Sequence, residues 1–207
     1  MASVFGDSGI SRAQVGAMMH PGYRSGVVYA PQVSAAVAGA AVAADTIYGI
    51  PLLIPQAVTI AGMQIAVGTA VVGVLGKLAI AQATGTGMGR LIAECNATVD
   101  MNSVATTALQ AGFATNPALS VGWYWLLCKF NGAAQPYTLN QATVGAGGLV
   151  QYFGAQNIGP FVRSIGASAY MRGELADAYA NAFPASLTGA TFGTGAPGAP
   201  ILGVVTA

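Results

Sequence analysis

Hydrophobic and polar side chains alternate along residues 32–160 in short runs that are separated by Gly, Pro and Asn. Successive side chains of a strand point to opposite faces, so this alternation predicts half-buried β-strands. Val58 and Ile60 are two residues apart and predict one face of a strand. The next apolar residue of the pattern, Met63, follows Ile60 by three residues, so the alternation shifts by one position. The one-residue shift at residues 61–62 predicts a β-bulge, because a bulge adds one residue to a strand.

Three further segments read as strands. Residues 122–130 (GWYWLLCKF) are apolar at consecutive positions, which predicts a central strand that is buried on both faces. Residues 57–81 (AVTIAGMQIAVGTAVVGVLGKLAIA) are apolar but interrupted by glycines, so we expect two buried strands joined by a turn. Residues 201–207 (ILGVVTA) predict a last strand.

The inward-facing positions of these strands form the predicted core. We expect the following side chains to point into it: Ile60, Ile65, Leu78, Ile80, Leu91, Trp125 and Leu127. Cys95 and Cys128 fall inside apparent strands and lack the spacing of a metal or redox motif. Buried free thiols are therefore favoured over a disulfide.

One segment near the C-terminus follows a different period. Leu175, Ala178, Tyr179 and Ala182 have the i, i+3, i+4, i+7 spacing of one helical face, and Pro184 would end such a helix. Together the patterns predict an all-β fold: a jelly-roll-like β-sandwich with an extended N-terminal arm and at most one short helix.

Charge is nearly absent from the chain. Seven Lys and Arg and six Asp and Glu stand among 207 residues, and 54% of the residues are hydrophobic. About a quarter of the residues are charged in an ordinary soluble domain. Because low charge favours association, we expect other copies of the chain or another partner to cover much of its surface. A net charge of +1 without a basic patch argues against nucleic-acid binding.

A membrane is the competing explanation for this hydropathy, because residues 57–81 exceed the roughly 20 apolar residues that span a bilayer. Gln64 and Lys77 interrupt that run, Pro51 and Pro55 precede it, and no cluster of Lys or Arg flanks it. We therefore expect no membrane span. The first residues also lack the basic start and apolar stretch of a secretory signal, so we expect no such signal.

Residues 1–31 differ from the rest of the chain. They are rich in glycine and hold a large share of the few charges, which predicts an N-terminal arm ahead of a sandwich domain at residues 32–207. Extended segments that become ordered on contact can cover a large partner surface. The candidate contact residues of the arm are Asp7, Arg12, His20 and Arg24.

Candidate catalytic chemistry is sparse. The single histidine, His20, would have to serve any Ser-His-Asp triad, and its neighbours look like a contact surface. Glu94 and Asp100 could approach each other as glycosidase carboxylates do, but solvated strand ends account for them equally well. We therefore expect no enzyme, no cofactor and no metal site.

The aromatic run at residues 123–125 has two explanations. Trp123, Tyr124 and Trp125 could form a platform on which a sugar stacks, but they lie in the most apolar predicted strand, which favours core packing. Alternation places Tyr124 opposite both tryptophans, so one face could form an interface.

Several segments resemble a β-sandwich that is found in structural proteins of tailed bacteriophages. Residues 45–60 (DTIYGIPLLIPQAVTI) resemble the opening of that domain. Residues 76–80 (GKLAI) and 119–126 (LSVGWYWL) resemble its next strands, and residues 183–204 resemble its proline-rich loop and short last strand. The likeness covers about residues 43–207, in order.

The resemblance implies a jelly-roll domain of a head decoration protein, head fibre or tail-associated fibre. On the first reading the chain is a capsid decoration or cement protein, a homotrimer of the virion that binds the major capsid protein through its arm and stabilises the shell. The alternative is a tail or head fibre domain that binds a host surface receptor such as a glycan. The Ala-rich stretch at residues 35–44 and the low charge depart from the family pattern. They leave open whether the protein lies on the head or on the tail of the virion.

Overall fold

The computed structural model describes residues 22–30, 36–38, 41–84, 87–103, 108–139, 172–193 and 200–207. Within these ranges all regular secondary structure consists of β-strands, and all strand pairs are antiparallel. The strands are β1 (Val28–Tyr29), β2 (Ala36–Ala38), β3 (Thr46–Ile54), β4 (Val58–Thr69), β5 (Leu75–Thr84), β6 (Gly87–Glu94), β7 (Val99–Asp100), β8 (Ala108–Gly112), β9 (Ala118–Leu119), β10 (Gly122–Phe130), β11 (Gln135–Leu139), β12 (Arg172–Ala176), β13 (Thr191–Gly193) and β14 (Leu202–Thr206).

Two sheets are packed face to face. The first has the order β1-β14-β4-β11-β2, with β8 and β9 also paired to β4, and the second has the order β13-β12-β3-β10-β5-β6, with β7 paired to β5. Side chains of both sheets meet in a main core, which includes Ile60 and Ile65 of β4 and Leu78 and Ile80 of β5. The predicted all-β, jelly-roll-like sandwich is confirmed.

The apolar segment at residues 57–81 forms β4, a turn and β5, as the glycine pattern predicts. Gly73 lies in that turn with a φ of 76°, a conformation that side chains disfavour. Along β4, Gly62 pairs with Val205 and Ile60 pairs with Thr206, so Ala61 is an extra residue. This confirms the predicted bulge and explains the shift in the hydrophobic phase.

The central strand β10 is buried on both faces and separates two cores. Leu126 and Cys128 point into the main core, whereas Trp125 and Leu127 point into a second core on the opposite face of the sheet. Leu91 is half-buried and packs against that second core. Trp125 and Leu127 are therefore buried core residues, but in the second core, because alternation along β10 sends successive residues to opposite faces; Leu91 lies at the border of that core.

The second core is enclosed by curling of its own sheet. A Cβ atom on Gly49 of β3 would lie 2.5 Å from Met88 Sδ, and one on Gly173 of β12 would lie 2.7 Å from it. Met88 belongs to β6, and β5 and β10 lie between β6 and β3 in the sheet. A side chain at either position would have to displace Met88, so glycine favours this close approach of the two sides of the sheet.

A loop at residues 177–190, which we call the covering loop, closes the second core. Its Phe183 and Leu187 are buried there beside Met88 and Trp125. Backbone hydrogen bonds from Leu91 N to Ala185 O (3.0 Å) and from Leu187 N to Gly89 O (2.8 Å) attach the loop to the edge of β6. The otherwise unpaired edge of β6 is thereby covered.

The helix predicted from Leu175, Ala178, Tyr179 and Ala182 is wrong. Leu175 lies in strand β12, where it pairs with Ile47 of β3, and the other three residues belong to the covering loop. The spacing of these apolar residues is helical, but pairing with β3 and the loop's tertiary contacts determine the structure of this segment.

The predicted arm overlaps the sandwich. Residues 22–30 belong to the first sheet, because β1 pairs with β14 and Gly26 N donates to Thr206 O at 2.9 Å. The rings of Tyr23 and Tyr29 pack edge to face with their centroids 4.7 Å apart, against the main core. A boundary at residue 31 therefore falls after the first strand, and the earlier residues 1–21 lie outside the described residues.

We expect Gly49→Ala to destabilise the protein by about 1–3 kcal/mol, because the new methyl group overfills the second core. The matched control is Gly87→Ala, since nothing lies within 4 Å of a Cβ at that position. Urea unfolding measures both. Combining Gly49→Ala with Met88→Ala should reduce the penalty, and equal penalties with and without Met88 would contradict the close contact.

We expect Trp125→Ala to cost about 3–5 kcal/mol, because Trp125 is 3% exposed and leaves a cavity when it is truncated. Its indole Nε1 also donates to Gly87 O at 3.2 Å, so truncation removes a hydrogen bond as well. Trp123→Ala is the control, because Trp123 is 37% exposed, and this substitution should cost about 1 kcal/mol or less. A loss below about 1 kcal/mol for Trp125→Ala would show that Trp125 is not a core residue.

Candidate functional site

A buried ammonium group lies beneath the covering loop. Lys129 of β10 is 0% exposed, and its Nζ lies 2.5 Å from Asp177 Oδ2. The same Nζ donates to the carbonyl oxygens of Ala178 (3.3 Å), Asn181 (3.0 Å) and Ala182 (3.3 Å). It also lies 4.8 Å from the centroid of the Phe183 ring. The ammonium has a carboxylate and several carbonyl acceptors around it, as a buried charge requires.

Three more charged residues attach the covering loop to the second sheet. Lys77, which pairs with Lys129 across the strands, donates to Asn181 O at 2.9 Å. Glu94 Oε2 accepts from Phe183 N at 3.1 Å, and Asp45 Oδ1 accepts from Tyr179 N at 2.7 Å.

Asp45 also holds an unusual backbone conformation. Its φ is +52°, in the left-handed region where Asp is tolerated better than most residues. In this position its N donates to Phe130 O and its carbonyl accepts from Asp177 N, both at 3.0 Å. The residue therefore joins the end of β10 to the start of the covering loop.

Lys77, Tyr179 and Glu94 lie close together in this region. The Lys77 ammonium is 5.0 Å from the centroid of the Tyr179 ring. Burial raises the pKa of Tyr179, and the negative charge of Glu94 raises it further. The Tyr179 hydroxyl is a buried group for which no hydrogen-bond partner is found among the described residues.

The carboxylates of this region hold the backbone in place rather than face one another. Glu94 binds Phe183 N, whereas Asp100 accepts from Asn102 N at 2.9 Å within its own turn. The pair considered from sequence, Glu94 and Asp100, therefore has separate backbone partners. Within the described ranges, no group of three or more His, Cys, Asp or Glu side chains is placed to hold a metal ion.

The end of the sandwich that lies away from Lys129 along β10 exposes apolar side chains. Trp123 and Leu53 occupy paired positions on β10 and β3 and are 37% and 41% exposed, and Val121 precedes β10. Val27 is also exposed, next to the end of β14, where its carbonyl accepts from Thr206 N. We call Val27, Leu53, Val121 and Trp123 the apolar end.

The aromatic run of β10 is divided by strand alternation. Tyr124 is buried in the main core, where its hydroxyl donates to Ser120 O at 3.0 Å. Trp125 is buried in the second core, and Trp123 alone of the three presents a substantial exposed surface. Core packing therefore accounts for two of the three side chains, and the third belongs to the apolar end.

The predicted arm residues are only partly described. Asp7, Arg12 and His20 lie outside the described residues. Arg24 is exposed and precedes β1, where its N donates to the Tyr29 hydroxyl at 3.0 Å and its carbonyl accepts from the Thr206 hydroxyl. Its backbone is thus part of the first sheet, and its side chain is accessible to a partner.

Both cysteines are free and buried. Burial raises the pKa of Cys95 to about 12 and raises that of Cys128 as well. Since the thiolate is the reactive form, both thiols are protected from oxidation and alkylation in the folded protein.

Comparisons with known proteins found that no family model, no curated protein and no solved structure matches this chain. Among the described residues, none belongs to a helix with the length and hydropathy needed to cross a membrane.

The buried Lys129 ammonium and its acceptors in the covering loop are the feature that the sequence analysis missed. A signal was present, because Lys129 interrupts the otherwise apolar strand GWYWLLCKF. A lysine is almost never fully buried unless it is paired, so its position on a central strand called for an acidic partner. The sequence could not identify Asp177, which is 48 residues away.

We expect Lys129→Met to cost about 3–5 kcal/mol, because it leaves Asp177 and the loop carbonyls without their buried partner. Lys77→Met is the matched control: Lys77 is half-buried on the paired strand, and its loss should cost about 1 kcal/mol or less. Urea unfolding gives the free energies, and hydrogen exchange at the amides of residues 178–187 reports on the loop. Equal effects of the two substitutions would contradict the role assigned to Lys129.

Proposed function

We propose that this chain is a structural virion protein of a tailed bacteriophage, a decoration or cement protein that binds the outside of the head and stabilises the shell. The observed all-β, jelly-roll-like sandwich is compatible with the family that residues 45–60, 76–80 and 119–126 resemble. Its partners would be the major capsid protein and further copies of itself, in a homotrimer. Its location would be the virion, after assembly in the host cytoplasm.

The observation that carries this proposal is that several of the few charged side chains bind the protein's own backbone or one another. Of seven basic and six acidic residues in the chain, five lie in the covering loop or bind it: Asp45, Lys77, Glu94, Lys129 and Asp177. These groups hold the protein's own backbone in place, so few of the chain's charges stay available for other contacts. A charge-poor surface favours association, so it suits a protein that works packed against a lattice.

The N-terminal segment supplies the proposed attachment. Residues 22–30 are bound in the first sheet, so the anchor is narrowed to residues 1–21 together with the exposed Arg24 side chain. Asp7, Arg12 and His20 belong to this segment and would contact the capsid. Binding to the assembled lattice, and not to free subunits, would stabilise the shell by mass action.

We expect the intact protein to bind undecorated heads of its phage and to raise the temperature at which they release DNA. A variant that begins at Gly22 should fold, by far-UV circular dichroism, but should fail to bind heads. Co-sedimentation with heads measures occupancy. Full occupancy without residues 1–21 would contradict their role as the anchor, and failure of the intact protein to bind heads would contradict the decoration function.

We expect light scattering to give the mass of a homotrimer at micromolar concentration. The Ala-rich face of β5 does not provide the contact, because Ala79 and Ala81 are buried in the second core of their own chain. The subunit contact would therefore use other faces of the sandwich. A monodisperse monomer would contradict the trimer.

The exposed Trp123 favours a second candidate function, receptor binding by a fibre domain. An accessible indole beside Leu53 offers a flat apolar surface on which a sugar ring can stack. Under this alternative the intact protein binds host cells, and Trp123→Ala abolishes that binding while the fold is retained. Binding to heads but not to host cells would exclude it.

A further inference from the structure

The dipeptide Asn131-Gly132 directly follows β10 and is the only place in the sequence where asparagine precedes glycine. Asparagine in this position is chemically labile, because the backbone nitrogen of the next residue can attack the side-chain amide carbon. Glycine has no side chain that hinders this approach. The other six asparagines precede these residues: Ala97, Ser103, Pro117, Gln141, Ile158 and Ala182.

Both residues of this dipeptide have structural roles in the fold. The Asn131 side chain joins the end of β10 to the turn between β4 and β5, because its Oδ1 accepts from Leu75 N at 2.8 Å and its Nδ2 donates to Gly73 O at 3.3 Å. A Cβ atom on Gly132 would lie 2.9 Å from Val74 Cγ2 in the same turn. The turn therefore uses both polar atoms of the asparagine side chain and the close approach that glycine permits.

The hydrogen bonds of the Asn131 side chain are placed where the reaction needs them. Attack on its Cγ puts negative charge on Oδ1, and the short bond from Leu75 N stabilises that charge, as a donor in an oxyanion hole does. The leaving nitrogen, Nδ2, has the longer bond to Gly73 O. Within the described residues Gly132 N donates no hydrogen bond, so it is available to react. Asn131 is exposed, so water reaches the site.

We propose that Asn131 is a site of spontaneous deamidation in the folded protein. The Gly132 nitrogen forms a bond to Asn131 Cγ, the Cγ–Nδ2 bond breaks, and the proton of Gly132 N leaves with Nδ2 as ammonia. Water then opens the cyclic imide at either of its carbonyl carbons, which gives aspartate or isoaspartate at position 131. Water is the only co-reactant, so the modification needs no enzyme, and it does not depend on the proposed function.

Deamidation weakens the turn between β4 and β5. A carboxylate at position 131 has no N–H to donate to Gly73 O, and it brings negative charge towards that carbonyl oxygen. Isoaspartate also lengthens the backbone by one carbon atom at the end of β10. The same turn holds Met101, whose N donates to Val74 O and whose carbonyl accepts from Val71 N, both at 2.9 Å. These bonds are therefore the ones that loosen when Asn131 is converted.

The reaction is measured by incubating the full-length folded chain at neutral pH and mapping its peptides by mass spectrometry, with an isoaspartyl methyltransferase as the probe for isoaspartate. We expect Asn131 to convert ahead of every other asparagine. The test variant is Val74→Ala/Gly132→Ala, in which the new methyl group occupies space that the valine leaves, and it should convert much more slowly. Val74→Ala alone is the matched control and should convert as the native chain does. Circular dichroism verifies that both variants fold.

A synthetic peptide of residues 129–135 sets the time scale of the unprotected reaction. If Asn131 stays intact in the folded chain while the peptide converts fully, the fold protects the site and the proposal is overturned. Conversion at another asparagine first would also overturn it.

The structural consequence is tested with Asn131→Asp, which has the product side chain from the start. We expect hydrogen exchange at the Met101 amide to become about fivefold faster, as the loss of one hydrogen bond predicts. Asn116→Asp is the matched control, because it adds the same charge at an exposed asparagine outside this turn. Equal exchange rates in the two variants would contradict the weakening of the turn.

Discussion

The contacts of the buried Lys129 ammonium are the interactions on which the covering loop and the second core depend. Removing such a group from water costs several kcal/mol, so it is tolerated only where acceptors surround it. Asp177 and the carbonyls of Ala178, Asn181 and Ala182 provide them, which fixes the first turn of the covering loop. The rest of the loop follows this turn: Phe183 lies over the second core, where Glu94 binds its backbone N, and the backbone bonds to β6 come next. Removal of one ammonium would therefore affect a core, a sheet edge and a loop together.

The unusual composition follows from this architecture. A sandwich of ordinary design has one core, whereas this chain has a second one inside a curled sheet, and both must be filled with apolar side chains. The curl also favours glycine at Gly49 and Gly173, where the Met88 side chain approaches the backbone. Part of the alanine, glycine and hydrophobic content therefore serves the interior of one chain. Low charge remains an argument for association, but Ala79 and Ala81 cannot contribute to it.

Local patterns in the sequence predicted local features of the fold. The class of fold, the bulge at Ala61, the two-sided burial of residues 122–130 and the final strand all follow from the local pattern of apolar residues, which depends only on neighbours in the chain. The curl, the second core and the partner of Lys129 depend on residues far apart in sequence, so no periodicity reveals them. The helix predicted around Leu175 failed for the same reason, because pairing with β3 overrides a helical spacing. Of the candidate contact residues, Arg24 is accessible, and the part played by Asp7, Arg12 and His20 stays a prediction.

The functional account joins a charge-poor sandwich, an N-terminal segment that precedes β1 in the chain, and a resemblance to phage structural proteins. Its central claim is that the protein is a component of the head surface. A cryo-electron microscopy map of the intact phage particle tests this most directly. The account predicts sandwich-shaped density in threefold groups on the outer face of the head, with connecting density from each copy to the capsid beneath. Density for the chain only at the tip of a tail fibre, or its absence from the particle, would contradict the account.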